Sequence, residues 1–501
     1  MSQWRACGVL LHLTSLPNQF GIGDLGQSAY DFIDFLAAAK QSYWQILPLG
    51  PTDQFHSPYT PYSAFAGNPL LISLEKLINE QLLSVADLQT VPTNFSQQKI
   101  DFAQLLPWKS KLLSLAFQNY LRRKPTKLVE EYTAFCKDNQ FWLIDFALFM
   151  TLKQQFNNQA WYNWPPEIAR RQTQAIEYWR QVLSDEIAYH QFIQYLFFKQ
   201  WQQLKAYAHK QGIKIIGDLP IFVAHDSADV WVHPFLFKLN SDGQPTVVAG
   251  VPPDYFSPTG QLWGNPLYKW EAHQEQNYDW WLKRLSLLLS LVDLVRIDHF
   301  RGFESAWEIP HGETTAVKGA WQKGPGSKFF QVVVDQFDDL PFIAEDLGFI
   351  TEEVIQLRDQ WSLPGMKILQ FAFDSLQPNP HLPHYHQYNS VVYTGTHDND
   401  TSFSWYQKLS SEIKAYVKNY LNSDGTDIVW DLIRAAYASP AKLAIIPLQD
   451  LLRLDSQARM NRPGQATGNW TWRYDPQLLT EQLIADLSQL ATLYQRVPNK
   501  K

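Results

Sequence analysis

Four widely separated acidic side chains follow apolar runs in the sequence. They are Asp218, Asp298, Glu345 and Asp398, and Arg296 stands two positions before the second of them. Side chains two positions apart on a strand point to the same face, so we expect Arg296 and Asp298 to lie side by side. Clustering like charges is unfavourable and is tolerated where chemistry requires it. The pattern therefore predicts one acidic site built at the ends of several strands.

The chemistry that suits such a cluster is cleavage of a glycosidic bond with retention, which needs two carboxyl groups ~5–5.5 Å apart. We expect Arg296 to keep Asp298 ionised, which makes Asp298 a candidate nucleophile. Glu345 follows a mostly apolar run, so desolvation and the charge of Asp298 would raise its pKa and suit it to donate a proton. Asp398 would bind ring hydroxyls and stabilise a positively charged transition state.

A metal site is one alternative for these residues. Oxygen and imidazole ligands are available from Asp298, His299, Glu345, Asp346, His397 and Asp398. However, the sequence contains neither H-x-H nor H-E-x-x-H, and Arg296 would be a poor neighbour for a cation. We therefore predict neither a metal nor another cofactor. The other alternative is a buried Arg–Asp pair that only braces the end of a strand.

Such a site needs a scaffold that brings distant strand ends together. Apolar runs with polar ends, mostly separated by segments of helical periodicity, occupy residues 6–13, 43–49, 213–218, 291–298, 341–348, 365–373, 390–398 and 443–450. Eight strands separated by helices are the count of a (β/α)8 TIM barrel, an α/β fold that places its active site at the carboxyl ends of the strands.

Two segments depart from this alternation. Residues 70–211 are rich in Gln, Lys, Leu and aromatic side chains with helical periodicity, which predicts a mainly helical inserted subdomain. Residues 229–270 form a long connection, rich in Pro and aromatic residues, that we expect to cover the substrate. The whole chain, 1–501, is expected to be a single elaborated barrel domain.

Composition narrows the class of protein. The 501 residues carry a net charge of −7 and no basic block, which argues against a nucleic-acid partner. Two cysteines in dissimilar contexts fit a reducing compartment. No leader pattern opens the chain and no apolar run could span a bilayer, so we expect a soluble cytoplasmic protein without a membrane partner. No pattern indicates the number of subunits.

Longer motifs point to one family. G-D-L-P-I-F-V, V-R-I-D-H-F-R-G, A-E-D-L-G and T-G-T-H-D-N-D, in this order, resemble the four regions of the α-amylase clan. Narrower signatures are S-P-Y-x-x-x-S-A-F-A-G-N-P at 57–69, G-V-P-P-D-Y-F-S-x-T-G-Q-L-W-G-N-P at 250–266 and A-R-M-N-x-P-G-x-x-x-G-N-W-x-W-R at 458–473. Together they resemble the 4-α-glucanotransferases, or amylomaltases, of glycoside hydrolase family 77.

The resemblance implies transfer of a 1,4-α-glucan segment to the 4-hydroxyl of glucose or another glucan. Malto-oligosaccharides and longer 1,4-α-glucans would be the partners. It implies Asp298 as the nucleophile that carries the glycosyl group, Glu345 as general acid/base and Asp398 as transition-state stabiliser. The implied substrate-binding residues are Tyr59, Asp218, Asp254, Tyr255, Phe256, Trp263, Asn265, Arg296, His299 and His397.

Differences from amylases favour a transferase. Val223 stands where most α-amylases have a histidine five residues after the first acid, and too few residues follow the eighth strand for a separate C-terminal β-domain. The clan's calcium is not expected. A retaining α-1,4-glucan hydrolase with the same catalytic residues is the alternative, distinguished only by the substrate-covering loop and the acceptor site. A catalytically silent glucan-binding protein is a third possibility, against which the intact acid set argues.

Overall fold

The computed structural model describes residues 5–92, 94–253 and 257–497. Its strands are β1 (Ala6–Leu10), β2 (Tyr43–Gln45), β3 (Lys214–Pro220), β4 (Val247–Val251), β5 (Gln261–Pro266), β6 (Leu294–Asp298), β7 (Ser305–Pro310), β8 (Ala320–Lys323), β9 (Phe342–Ala344), β10 (Gly365–Ile368), β11 (Ser390–Tyr393) and β12 (Leu443–Pro447).

Eight parallel strands close into a barrel in the order β1-β2-β3-β6-β9-β10-β11-β12, and β12 pairs with β1. Every one of the eight predicted runs contributes a strand, so the prediction of a (β/α)8 barrel is confirmed. Most strands end earlier than predicted because the runs finish in Pro or polar residues that leave the ladder. The run at 365–373 is different: it contains no Pro, and after β10 it continues as the 3-10 helix Leu369–Phe373.

A second sheet, which the sequence did not predict, stands beside the barrel. It is antiparallel, with the order β5-β4-β7-β8. Its hairpin β4–β5 lies within the predicted connection 229–270, where Gly and Pro are typical of loops. Its other strands follow β6 in the chain, and local periodicity does not reveal pairing between such distant segments.

The α-helices lie between and around the strands. They are α1 (Gln27–Ala38), α2 (Leu74–Asn79), α3 (Val85–Leu88), α4 (Phe102–Arg123), α5 (Thr126–Asp138), α6 (Leu143–Gln155), α7 (Pro166–Ala169), α8 (Thr173–Val182), α9 (Ser184–Lys210), α10 (Ala228–Val232), α11 (Trp270–Glu275), α12 (Asp279–Leu291), α13 (Ser327–Phe337), α14 (Glu352–Gln360), α15 (Ser402–Lys408), α16 (Ser411–Leu421), α17 (Ile428–Ala438), α18 (Leu448–Leu451) and α19 (Glu481–Leu493). In the described ranges, no helix is long and apolar enough to cross a membrane.

Helix α9 fixes the loop that follows β2. Two glutamines on this helix bond both to the backbone N–H and to the carbonyl of a loop residue: Gln194 to Gly67, at 2.7 and 2.9 Å, and Gln200 to Ser73, at 2.7 and 3.1 Å. A Cβ on Gly67 would come within 2.0 Å of the ring of Phe197, so only glycine allows this approach. The helix thereby positions the signature loop 57–69.

Both ends of the described chain are fastened to the seam between β1 and β12. The guanidinium of Arg496 is fully buried and donates hydrogen bonds to the carbonyls of Ala6 at 2.9 Å, Ser439 at 2.8 Å and Ala441 at 2.9 Å. Arg5 donates to the carbonyl of Tyr494 at 3.1 Å. The two arginines thus supply hydrogen-bond donors to backbone carbonyl oxygens around this seam.

Candidate active site

Arg296 is the centre of the charged cluster at the carboxyl ends of β3 and β6. Asp218 stands directly opposite it in the register of the two strands. The Nη1 atom of Arg296 donates to both carboxylate oxygens of Asp218, at 2.8 and 2.9 Å, and Nη2 contacts Oδ1 of Asp298 at 2.9 Å. The expected contact between Arg296 and Asp298 is therefore present. One guanidinium serves two carboxylates.

Glu345 lies next to this cluster because it directly follows β9, the strand beside β6. The backbone N–H of His299 donates to Oε2 of Glu345 at 2.7 Å, and the N–H of Leu347 donates to Oε1 at 2.8 Å. His299 immediately follows Asp298 and takes a left-handed backbone conformation, with φ of 54°. That turn brings the ends of β6 and β9 together, so Asp298 and Glu345 share one site.

Asp398 is the third carboxylate at the rim, at the end of the turn after β11. Its Oδ1 accepts a hydrogen bond from Nδ2 of Asn461 at 2.6 Å, and Nε2 of His397 lies 3.4 Å from the same oxygen. Arg459 donates to its backbone carbonyl at 2.6 Å. The side chain is 44% exposed, against 30% for Asp298, so both present their carboxylates to the cleft.

An aromatic wall lines the cleft next to these acids. The ring of Tyr59 stacks on His397 with centroids 5.1 Å apart and planes 12° apart, and Trp470 packs against both rings. The hydroxyl of Tyr59 donates to Oδ2 of Asp218 at 2.9 Å. Tyr59 is thus joined to the same hydrogen-bonded network as Arg296.

Across the site, β5 carries two further residues that were predicted to bind substrate, Trp263 and Asn265. The ring of Trp263, 37% exposed, meets that of His299 edge-on with centroids 4.7 Å apart. Asn265 does not face the acids: its Nδ2 donates to the carbonyl of Val223 at 2.9 Å and anchors the strand to the loop after β3. The predicted residues Asp254, Tyr255 and Phe256 lie outside the described residues.

Burial governs the electrostatics of the site. It raises the pKa of Asp298 and that of Glu345, and Arg296 opposes the rise at both. The raised pKa of Glu345 agrees with the sequence prediction. The expectation that Arg296 keeps the pKa of Asp298 low is wrong in its net direction, because Arg296 is shared with Asp218 and burial dominates.

Burial disfavours the charged form of both histidines of the site. Burial lowers the pKa of His397, and it lowers that of His299 to about 3. The Nε2 atom of His299 has no hydrogen-bond partner among the described residues. The guanidinium of Arg296 therefore provides the positive charge of the cluster.

Asp346, a possible metal ligand in the sequence, is turned away from the cluster. It forms an ion pair with Arg358 and accepts a hydrogen bond from the N–H of Met366 at 2.7 Å. Among residues 5–92, 94–253 and 257–497, no group of three or more His, Cys, Asp or Glu side chains has an arrangement that could hold a metal ion.

Three residues of the site had no assigned role in the sequence: Arg459, Asn461 and Trp470. All lie in the C-terminal signature 458–473. That signature was the available signal, since its polar and aromatic residues lie outside every predicted barrel strand. The pattern does not predict that these residues contact Asp398 and Tyr59. Those contacts depend on how the chain returns to the rim of the barrel after β12.

Comparison with known proteins decides the family. A family model described as 4-alpha-glucanotransferase matches residues 11–480. The chain belongs to the 4-alpha-glucanotransferase family. The protein is accordingly a transferase built on a glycoside hydrolase barrel, and its substrate is a glucan.

Relatives of this 4-alpha-glucanotransferase match it over nearly its full length. A 4-alpha-glucanotransferase from Synechocystis sp. is 51% identical over 496 residues, 98% of each chain. One from Thermus thermophilus is 47% identical over 501 residues, 98% of this chain and 99% of its own. The solved structure of amylomaltase from Streptococcus agalactiae in complex with acarbose has a TM-score of 0.96 and 42% identity, covering 98% of this chain and 100% of that one.

Proposed function

We propose that this 4-alpha-glucanotransferase disproportionates malto-oligosaccharides and longer 1,4-α-glucans by double displacement through a covalent glycosyl-Asp298 intermediate. The observation that carries the proposal is the arrangement of Arg296, Asp298 and Glu345. In it, two partly buried carboxyl groups with raised pKa lie beside one guanidinium.

In the first step the carboxylate of Asp298 attacks the anomeric carbon, and the bond from that carbon to the leaving oxygen breaks. Glu345 gives its proton to this oxygen, so the shortened glucan leaves with a hydroxyl. The two carboxyl groups titrate as a pair that holds one proton in the reactive state. Although burial raises the pKa of both, the charge of this pair falls on Asp298, which contacts Arg296 at 2.9 Å, and the proton stays on Glu345.

In the second step the 4-hydroxyl of an acceptor attacks the same carbon. The bond to Asp298 breaks, Glu345 takes the hydroxyl proton, and the site returns to its starting state. Asp398 stabilises the positive charge that develops on the sugar ring in both steps. Tyr59 and His397 hold the ring in place, and Asp218 fixes the hydroxyl of Tyr59.

The connection 229–270 favours the acceptor over water in this proposal. The ring of Trp263 packs against that of His299, the residue after Asp298, and Pro252, Pro253, Asp254, Tyr255 and Phe256 belong to the same segment. Excluding water from the glycosyl-enzyme while binding a second glucan makes a sugar hydroxyl the effective nucleophile. Asn265 supports the segment through its bond to the loop after β3.

The product pattern from maltotriose tests this function. The purified enzyme, without added metal, should give glucose and a ladder of longer maltodextrins while total reducing ends stay constant. Shorter sugars alone, with rising reducing ends, would make the protein a retaining α-glucan hydrolase.

The free cysteines Cys7 and Cys136 agree with a reducing compartment, and we place the enzyme in the cytoplasm.

A further inference from the structure

An exposed aromatic surface adjoins the acidic cleft and has no part in the contacts described above. Phe349 is 63% exposed, and its ring lies parallel to that of half-buried Trp321, with centroids 6.1 Å apart and planes 16° apart. Large aromatic side chains exposed together commonly mark a binding surface. We call Phe349 and Trp321 the aromatic platform.

The aromatic platform is rigidly supported from below. The buried guanidinium of Arg301 lies 3.7 Å from the ring centroid of Trp321 and 5.6 Å from that of Phe349, and it donates to the backbone carbonyl of Phe349. Arg301 is itself held by Oγ of Ser305 at 3.1 Å. Trp307, opposite Trp321 in the sheet, packs against it at 5.2 Å. Rings fixed in this way lose little freedom when a ligand binds.

The aromatic platform lies close to Glu345 in the chain. Phe349 follows Glu345 by four residues, a stretch that spans at most about 14 Å. The N–H of Leu347, midway along it, is bonded to Glu345 at 2.8 Å. Glu345 is the proposed proton donor to the leaving glucan. The platform is therefore within about 14 Å of the group that would protonate the leaving glucan and activate the acceptor.

We propose that the aromatic platform is an outer acceptor subsite, on which glucose units remote from the reacting 4-hydroxyl stack. The proposal rests on the transferase function proposed above. The flat, uncharged rings match the C–H faces of glucose units, and the positive charge of Arg301 is buried beneath them. The platform makes long acceptors better than short ones, because glucose alone does not reach it.

The test compares two acceptors that carry a chromophore, p-nitrophenyl α-glucoside and p-nitrophenyl α-maltopentaoside, with maltotriose as the donor. Lengthened nitrophenyl products are measured by chromatography. In Phe349→Ala, kcat/KM for the pentaoside should fall by about three- to tenfold relative to the value for the glucoside, the range of one lost ring contact. Phe349→Tyr retains the ring and should keep the wild-type ratio. Tyr178→Ala, a substitution of another exposed aromatic residue on helix α8 outside the site, is the matched control.

An unchanged ratio in Phe349→Ala, with the wild-type enzyme active on both acceptors, would overturn the platform and leave the transferase function intact. Equal loss on both acceptors would also overturn it, since that result indicates general damage to the site. If the wild-type enzyme lengthened neither acceptor, the transferase function and the platform would both be wrong.

Discussion

Asp298 and Glu345 have similar surroundings and different proposed roles, which substitution can separate. Glu345→Gln should lower kcat on maltotriose by about a hundred- to ten-thousandfold, because a proton donor to a poor leaving group is lost. With α-maltotriosyl fluoride, whose leaving group needs no proton, the first step should recover and release fluoride. Asp298→Asn should remain inactive on both donors. Recovery of Asp298→Asn on the fluoride would contradict the assignment.

Asn461 positions Asp398 through a single hydrogen bond of 2.6 Å. Because we propose that Asp398 acts on charge that develops in the transition state, Asn461→Ala should lower kcat on maltotriose by about tenfold, with KM changed less than about twofold. Steady-state kinetics with a thermal melt as control separates this effect from loss of fold. Asn461→Asp, which places two like charges together, should be more damaging. Wild-type kcat in Asn461→Ala would show that the bond has no catalytic role.

For individual residues, the sequence predicted which side chains would come together in the site. It did not predict how the positive charge of Arg296 would be shared between the carboxylates. Asp218, Arg296, Asp298, Glu345 and Asp398 do converge. The sharing of Arg296 by two carboxylates follows from the register of β3 against β6, which no local pattern specifies. For the same reason, the net direction of the pKa of Asp298 could not be obtained from its neighbour in the sequence alone.

The hairpin of β4 and β5 is the element that we expect to separate transfer from hydrolysis. Trp263→Ala should raise the ratio of hydrolysis to transfer severalfold, because water then reaches the glycosyl-enzyme more easily. The ratio is obtained from reducing ends and longer products in the same maltotriose reaction. Leu262→Ala is a matched control, since Leu262 is similarly exposed and points to the other face of the strand. An unchanged ratio in Trp263→Ala would contradict a role for this strand in excluding water.

Helix α9 supports the signature loop through its glutamines, and this support can be measured. Gln194→Leu leaves the N–H and the carbonyl of Gly67 buried without partners, at a cost of about 1–3 kcal/mol for each group. The melting temperature should fall, and KM for maltotriose should rise because the same loop carries Tyr59. Gln202→Leu, on an exposed position of the same helix, should change neither. Equal melting temperatures in the two variants would refute the role of Gln194.

Secondary-structure elements were predicted well where hydrophobic periodicity is strong. They were predicted poorly where a strand pairs with a segment distant in the sequence. All eight barrel strands were located. The sheet β5-β4-β7-β8 was missed, because two of its strands follow β6 and the other two precede it. Gly250 also weakened the signal for a strand, although glycine is required there: a Cβ would come within 2.2 Å of the carbonyl oxygen of Gln261.

For the molecule as a whole, buried carboxyl groups make stability depend on pH. Burial raises the pKa of Asp229 from 3.8 to about 6. The protonated form is favoured in the folded state, so its stabilising contribution, up to about 3 kcal/mol, is present below pH 4 and is lost as pH rises through 6. The melting temperature of the wild-type enzyme should therefore fall relative to that of Asp229→Asn between pH 4 and 6. A constant difference between the two proteins would contradict the raised pKa.

The seam between β1 and β12 has a consequence for how the protein is made. The barrel closes only when its first strand pairs with its last, and Arg496 completes that junction by bonding to Ala6, Ser439 and Ala441. During synthesis, β12, the second neighbour of β1, becomes available only when almost the entire chain has left the ribosome. The exposed edge of the nascent sheet therefore needs protection throughout translation, and chaperones are suited to provide it.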